Sequence, residues 1–442
     1  MRMVLRKSED ERVTGHSNVV NGKSIPLQTA FGSGSSVVID SCQVCGSPNL
    51  KPVAFFGYLP PVNEMQPAGA VPHELPSYPV NLLHCRTCEL VQLGLSIDPK
   101  VLFPPSYPYT SGTTRILREN FAALYRECRE IAGLRADDLV VDIGSNDGTL
   151  LSNFAGHHRV LGIEPTDVGA IASSRGIPTI QRYFGKDTAL EVRAEHGRAK
   201  VITAANCFAH IEDVHSVVDG ILELLAEDGL FISENHYFIG VLDRLQYDTV
   251  YHEHLRYYSL RSIKYLLEMH GLEVVHAVQI PTHGGSIRVY AARKGTRPVQ
   301  ASVAQILASE PQGEAMVERL ARFRSDVLLS KLRLMSMLRD VKEKGGRVCG
   351  ISAPSRASTL ICYTGLDDGT LDYVAEIKGS LKIGKYMPGT IIPVVEEAKV
   401  FEDQPEYALI LSWHIAEELM PKLREKGYRG RFIVPLPVPR LV

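Results

Sequence analysis

Val140-Val141-Asp142-Ile143-Gly144-Ser145-Asn146-Asp147-Gly148-Thr149-Leu150 is the stretch that decides how this chain folds. An apolar run ends beside an aspartate and passes into two glycines with three residues between them. That pattern predicts a strand, a glycine turn and, from Leu150, a helical stretch. Glycine lets the backbone approach a ligand, and a following helix start offers unpaired amides. A dinucleotide site prefers G-x-G-x-x-G after the strand, whereas here the turn is G-x-x-x-G with Asp142, Asn146 and Asp147 beside it. An acidic loop suits a cationic or zwitterionic ligand better than a pyrophosphate. The sulfonium and amino-acid end of S-adenosylmethionine is such a ligand, and Asp142 reads as a loop-orienting residue or a contact to its amine. Taken alone, the motif is also compatible with a plain tight turn.

Working outward, a second strand over 160–163 ends at Glu164, where a carboxylate can accept both hydroxyls of a ribose. Further strands are expected at 200–203, 229–233 and 272–279, with helices at 111–132, 214–225 and 260–269. This alternation predicts a doubly wound α/β domain. Asn206 and Phe208, just past the strand at 200–203, are candidates for the cofactor wall, and the phenylalanine fits a core position equally well. A charged helical run over 301–345 leads to a second, smaller α/β unit with strands at 347–351, 373–375, 389–394, 407–411 and 431–434.

Four of the eight cysteines fall as Cys42-x-x-Cys45 and Cys85-x-x-Cys88. Two close pairs in a proline-rich segment make a four-sulfur set suited to a structural Zn2+ with no open coordination position. A redox or iron–sulfur site is the alternative. The expected layout is a mobile extension over 1–38, a zinc-binding module over 39–104, the cofactor domain over 105–300, a helical bridge over 301–345 and a C-terminal α/β domain over 346–442.

The chain has 442 residues and a net charge of -2, so no basic excess is present to neutralise a nucleic acid backbone. No stretch approaches the roughly 18 apolar residues of a membrane span, and the N-terminus runs into charge rather than an apolar signal core. A cytoplasmic enzyme acting on a small molecule, as monomer or homodimer, is the expectation.

Titratable and aromatic side chains crowd Tyr247-Asp248-Thr249-Val250-Tyr251-His252-Glu253-His254-Leu255-Arg256-Tyr257-Tyr258-Ser259 too densely for a core helix. HEH lacks the H-E-x-x-H spacing of a catalytic zinc, but Glu253 and His254 can form a general-base unit, the carboxylate orienting the imidazole or stabilising its charge. His210 reads as a ligand-facing or core histidine. His283 and Arg288 lie in Thr282-His283-Gly284-Gly285-Ser286-Ile287-Arg288, whose glycines allow close approach and whose charged end could meet phosphate. Tyr107 and Tyr109 follow the cysteine module, placed to cover a cleft.

With these pieces assembled, the chain resembles the sugar C-methyltransferase family over about 39–442. The resemblance rests on the cysteine pairs, IGSNDGTLL with GIEP, NCFAHI, YDTVYHEHLRYYS, THGGSIR and KIGKYMPGT. It implies an N-terminal zinc module, a central Rossmann-like S-adenosylmethionine-dependent methyltransferase fold and a C-terminal α/β domain. It implies as substrate a nucleoside-diphosphate-linked 4-keto-deoxysugar, commonly a thymidine diphosphate sugar. The implied chemistry is loss of a proton next to the ketone, followed by attack of the enolate on the sulfonium methyl. His254 matches the family's base and Glu253 its partner, Tyr251 and His210 match active-site residues, and an early active-site tyrosine falls within Tyr107–Tyr109, with Tyr107 the first choice. The chain departs from the family's pattern at Gly350-Ile351-Ser352-Ala353-Pro354-Ser355-Arg356 and at Glu376-Ile377-Lys378-Gly379-Ser380. Arg356 and Lys382 are the phosphate-side candidates there, with salt-bridge roles as the alternative. A small-molecule O- or N-methyltransferase and a zinc-stapled binding or nucleic-acid-modifying protein are the rival readings.

Overall fold

The computed structural model describes residues 36–103 and 110–442, and the backbone of a hairpin pairing Asn18–Val20 with Lys23–Ile25. Tyr107, Tyr109 and most of the expected extension over 1–38 lie outside the described residues.

The central sheet has seven strands: β1 (Leu139–Ile143), β2 (Arg159–Ile163), β3 (Thr179–Ile180), β4 (Ala199–Ala205), β5 (Leu225–His236), β6 (Leu272–Ile280) and β7 (Ser286–Arg293). Their order is β3-β2-β1-β4-β5-β7-β6. The first five run parallel, and β7 is antiparallel to both its neighbours. All five residues of β1 are buried, because helices cover both faces of a parallel sheet. Helix Arg115–Ala132 supplies one cover, placing Leu117, Phe121, Leu124, Cys128 and Ala132 at helical spacing on Val140, Val201 and Ile232. Gly133 ends this helix in the left-handed conformation, at φ 62°. Helix Val214–Leu224 joins the core on the opposite side, with Val141, Ile143 and Ile202. The strand order reverses between β1 and β4, which opens a crevice at their carboxyl ends.

Two smaller sheets flank this one. The N-terminal sheet orders Arg256–Tyr257, Val91–Leu93, Tyr78–Cys85 and Leu50–Leu59, so a strand from residues 246–258 completes it. The C-terminal sheet has six strands, from Val394–Glu396 through Val374–Glu376, Val348–Ile351, Tyr407–Ile410 and Arg431–Val434 to Arg440–Leu441.

Four expectations need correction. The helical stretch from Leu150 is only a 3-10 turn, Leu151–Asn153. There Asn153 Nδ2 donates to the Thr149 and Leu150 carbonyls, and Gly156 turns the chain at φ 81°. The charged run over 301–345 is two helices, Ala301–Ser309 and Glu314–Glu343. Pro311, with no N–H, lies between them. The strand expected over 389–394 begins at Val394, because residues 387–390 close a turn through Thr390 N to the Met387 carbonyl. The segment 286–288, read as a ligand-approaching loop end, opens buried strand β7. No helix among the described residues is long and apolar enough to cross a membrane.

Candidate active site

The four sulfurs of Cys42, Cys45, Cys85 and Cys88 lie within 4.8 Å of one another. The Cys42–Cys88 and Cys45–Cys85 pairs stand at 3.4 and 3.5 Å. A tetrahedral zinc about 2.3 Å from each sulfur separates them by about 3.8 Å, so the set fits that ion with changes of up to about 1 Å in the sulfur–sulfur separations. The amides of Val44 and Cys45 point to Cys42 Sγ and that of Thr87 to Cys85 Sγ, as suits thiolates. Four sulfurs close the coordination sphere, so this centre is structural.

At the carboxyl end of β1 the chain turns through Gly144 (φ 67°), Asn146 (φ 51°) and Gly148 (φ 75°). A Cβ on Gly144 would lie 2.8 Å from Cys207 Cβ, and one on Gly148 would lie 2.9 Å from Ala172 Cβ. Cys207 donates to the Ile143 carbonyl at 2.9 Å and packs under the turn. Glu164, at the end of β2, accepts from Asn146 N (3.0 Å), Thr166 N (2.9 Å) and Thr166 Oγ1 (2.7 Å). Two oxygens offer about four lone-pair sites, leaving capacity for a hydroxyl. Asn146 Oδ1 and Asp147 Oδ2 accept from the amides of Ser111 and Gly112, pinning the turn Ser111–Thr113 over the loop. Asp142 accepts from Thr203 Oγ1 at 2.6 Å; burial, aided by Glu164, pushes its carboxyl up to about 7. A buried acidic pocket with glycine turns fits the cationic end of S-adenosylmethionine. Asn206 (φ 60°) lies past β4, its amide on the Glu234 carbonyl. Phe208 is fully buried between Phe231 and Tyr258, so it is core and not an open wall.

Residues 246–258 lie where the three sheets converge. Asp248 and Arg356 form a buried bidentate pair at 2.7 Å, and the Trp413 indole N–H donates to the same carboxylate. Arg356 also donates to Gln246 Oε1 and the His283 carbonyl. Arg356 is thus committed to the domain junction and not to phosphate. Lys382, half-buried and with its amine held below the usual range by desolvation, donates to the Ala353 carbonyl. Arg288 is also internal: Glu234, Glu127 and Asn120 take up its guanidinium across the sheet.

His254 Nδ1 is 2.8 Å from the Thr249 carbonyl. A carbonyl only accepts, so Nδ1 carries the proton and Nε2 is the basic nitrogen of the neutral ring. Burial pulls its pKa down to about 4, which keeps the ring neutral at pH 7. The Tyr251 ring lies 4.1 Å from it, His210 4.9 Å and His236 5.1 Å, and His283 lies 5.4 Å beyond His236. Burial holds His210 and His236 well below the usual histidine range, and His283 at about 4. The Thr249 carbonyl occupies His254 Nδ1, and Glu253 Oε1 accepts from Asn63 Nδ2 of the cysteine module at 2.7 Å. His252 faces the other way, to the Tyr78 carbonyl.

Two residues of this cluster escaped the sequence reading. His236 ends β5, and the rule that ligands bind past the carboxyl ends of parallel strands was the signal for it. Asn63 carried no signal, since its partner is 190 residues away.

Comparison with known proteins accords with this geometry. A relative named C-methyltransferase NovU, from Streptomyces niveus, is 35% identical over 410 residues, covering 91% of this chain and 97% of the relative. The chain belongs to the C-methyltransferase family. Three family models tile it: "Putative zinc binding domain" over 42–103, "Methyltransferase domain" over 115–277 and "C-methyltransferase C-terminal domain" over 281–437. The enzyme is an S-adenosylmethionine-dependent C-methyltransferase. Solved structures with some likeness include an S-adenosylmethionine-dependent methyltransferase from Clostridium acetobutylicum, at 12% identity and TM-score 0.32, covering 40% of this chain and 92% of that one. Another is magnesium protoporphyrin IX methyltransferase from Synechocystis with bound SAH, at 14% identity and TM-score 0.32, covering 42% and 90%.

Proposed function

We propose that this enzyme methylates the carbon next to the ketone, C3, of a 4-keto-deoxysugar carried on a nucleoside diphosphate, thymidine diphosphate being the first choice. The observation that carries the reading is His254, held neutral with its lone pair on Nε2, beside tyrosine and histidine donors at the carboxyl end of β5. A carbon next to a ketone is not nucleophilic until it loses a proton. His254 Nε2 takes that proton. Tyr251, with His210 and His236 beside His254, supplies donors for the charge that grows on the keto oxygen. Glu253, fixed by Asn63, contributes negative charge near the imidazolium that His254 becomes. The turn at 144–148, with Glu164 on the ribose and Asp142 toward the cationic end, would hold S-adenosylmethionine, which supplies an electrophilic methyl group when bound. Tyr251 and His254 are buried and His210, His236 and His283 half-buried, which limits water at the site, so the carbanion meets the methyl donor rather than a solvent proton. The nucleotide half of the substrate is supported by the family resemblance.

The test is proton exchange. With S-adenosylhomocysteine in place of the methyl donor, the native enzyme should move solvent deuterium into the substrate carbon beside the ketone. Methyl transfer to a heteroatom, without any such exchange, would overturn the reading.

A further inference from the structure

Arg256 is among the largest fully buried side chains of the molecule, 1% exposed. Its Nη1 donates to Gln43 Oε1 at 2.6 Å, while Nε and Nη2 have no hydrogen-bond partner among the described residues. A buried guanidinium without a counter-charge is costly. The other buried arginines differ: Arg288 meets Glu234 and Glu127, and Arg356 meets Asp248.

Gln43, which holds Arg256, lies between metal-site residues Cys42 and Cys45. The buried Tyr258 hydroxyl lies beside the Arg256 guanidinium and within electrostatic reach of Cys42 and Cys88. Four thiolates around one zinc ion carry a net charge of about -2. The Glu212 carboxylate is also within electrostatic reach of Arg256, but it is exposed to solvent and carries a single charge. The backbone is joined there too: Arg256 pairs with Gln92, Tyr257 with Val91, and Leu93 N donates to the Leu255 carbonyl. His254 is two residues away.

We propose that Arg256 is a positioning residue whose guanidinium is the counter-charge of the zinc–tetrathiolate, so that the metal centre holds the segment bearing the general base. The positioning of the base rests on the function proposed above; the charge pairing does not. Zinc then does more than staple a small module. It sets where His254 stands relative to the crevice, although it touches no reactant.

The experiment compares Arg256→Gln and Arg256→Lys with the native chain. Zinc release to a coloured chelator should be about tenfold or more faster in Arg256→Gln, in line with the usual 10–100-fold effect of losing a partner that supports metal ligands. In cobalt-substituted protein the sulfur-to-metal charge-transfer band should shift in Arg256→Gln. Arg256→Lys, which keeps the charge, should restore the band and bring release to within about threefold of native. S-adenosylhomocysteine affinity should stay within about twofold throughout, while deuterium exchange into substrate falls in Arg256→Gln. Native-like zinc release and cobalt spectrum in Arg256→Gln would overturn the proposal. If Arg256→Gln does not fold, Arg256→Lys decides, and release tenfold faster than native would overturn it. Failure of deuterium exchange in the native enzyme would instead count against the proposed function, leaving the metal readouts intact.

Discussion

The turn proposed to hold the cofactor, eight residues over 142–149, and the segment proposed to carry the base, thirteen residues over 246–258, are both dense in polar residues, yet they are held in opposite ways. The turn at 142–149 is built by its own backbone: three residues at positive φ, with Glu164 receiving the Asn146 amide from the adjacent strand. The segment 246–258 has little regular structure, and side chains from all three domains fix it. Asn63 and Tyr78 come from the cysteine module, Arg356 and Trp413 from the C-terminal domain. On the proposed function, the turn would bind cofactor as part of one domain, whereas the segment would reach its working form only with the cysteine module and the C-terminal domain packed against it. Binding and chemistry should therefore separate under mutation.

The largest separation should come from His254→Asn. Methyl transfer should fall about 10²–10⁴-fold, the range for a positioned general base, with S-adenosylhomocysteine affinity kept. Loss of both together in calorimetry and turnover would erase the contrast between the regions. The reverse case is Gly144→Val. A left-handed side chain costs about 1–2 kcal/mol, and a Cβ there meets Cys207. Cofactor affinity should drop about 10–100-fold, while the zinc content of the purified protein stays native.

Asn63→Ala sharpens the comparison across the domain boundary. Removing one hydrogen bond to a carboxylate costs about 1.5–3 kcal/mol, so kcat should fall about tenfold with the cofactor KM unchanged. An unchanged kcat would show that Glu253 needs no support from the cysteine module.

The smallest effect is a pH dependence. Asp142 is raised to about 7, so below that pH it is protonated before a cationic ligand arrives and must release its proton on binding. Affinity for S-adenosylmethionine should rise severalfold from pH 6 to pH 8 and level off above, with Asp142→Asn flattening the curve. Calorimetry in two buffers of different ionisation enthalpy would detect the released proton, and equal heats would remove it.

What the sequence determined by itself follows from local rules. The strand–turn–strand around Gly144 and Glu164 is legible because glycine spacing and an apolar run constrain the backbone within a few residues. The cysteine pairs are legible because sulfur ligation requires close spacing within each pair. His254 and Tyr251 stood out because their segment was too polar for a core. Tertiary structure decided which partners those residues have. Arg288 and Arg356 carry the same charge that a phosphate site would use, and only the neighbours Glu234, Glu127 and Asp248 show that they are already neutralised. His254 Nδ1 is held by a carbonyl five residues back, while the adjacent Glu253 reaches Asn63 of the cysteine module. Charge and hydrogen bonding act through space over a few ångströms, so the pairs that set a site's chemistry are fixed by packing between segments and leave no mark in the spacing along the chain.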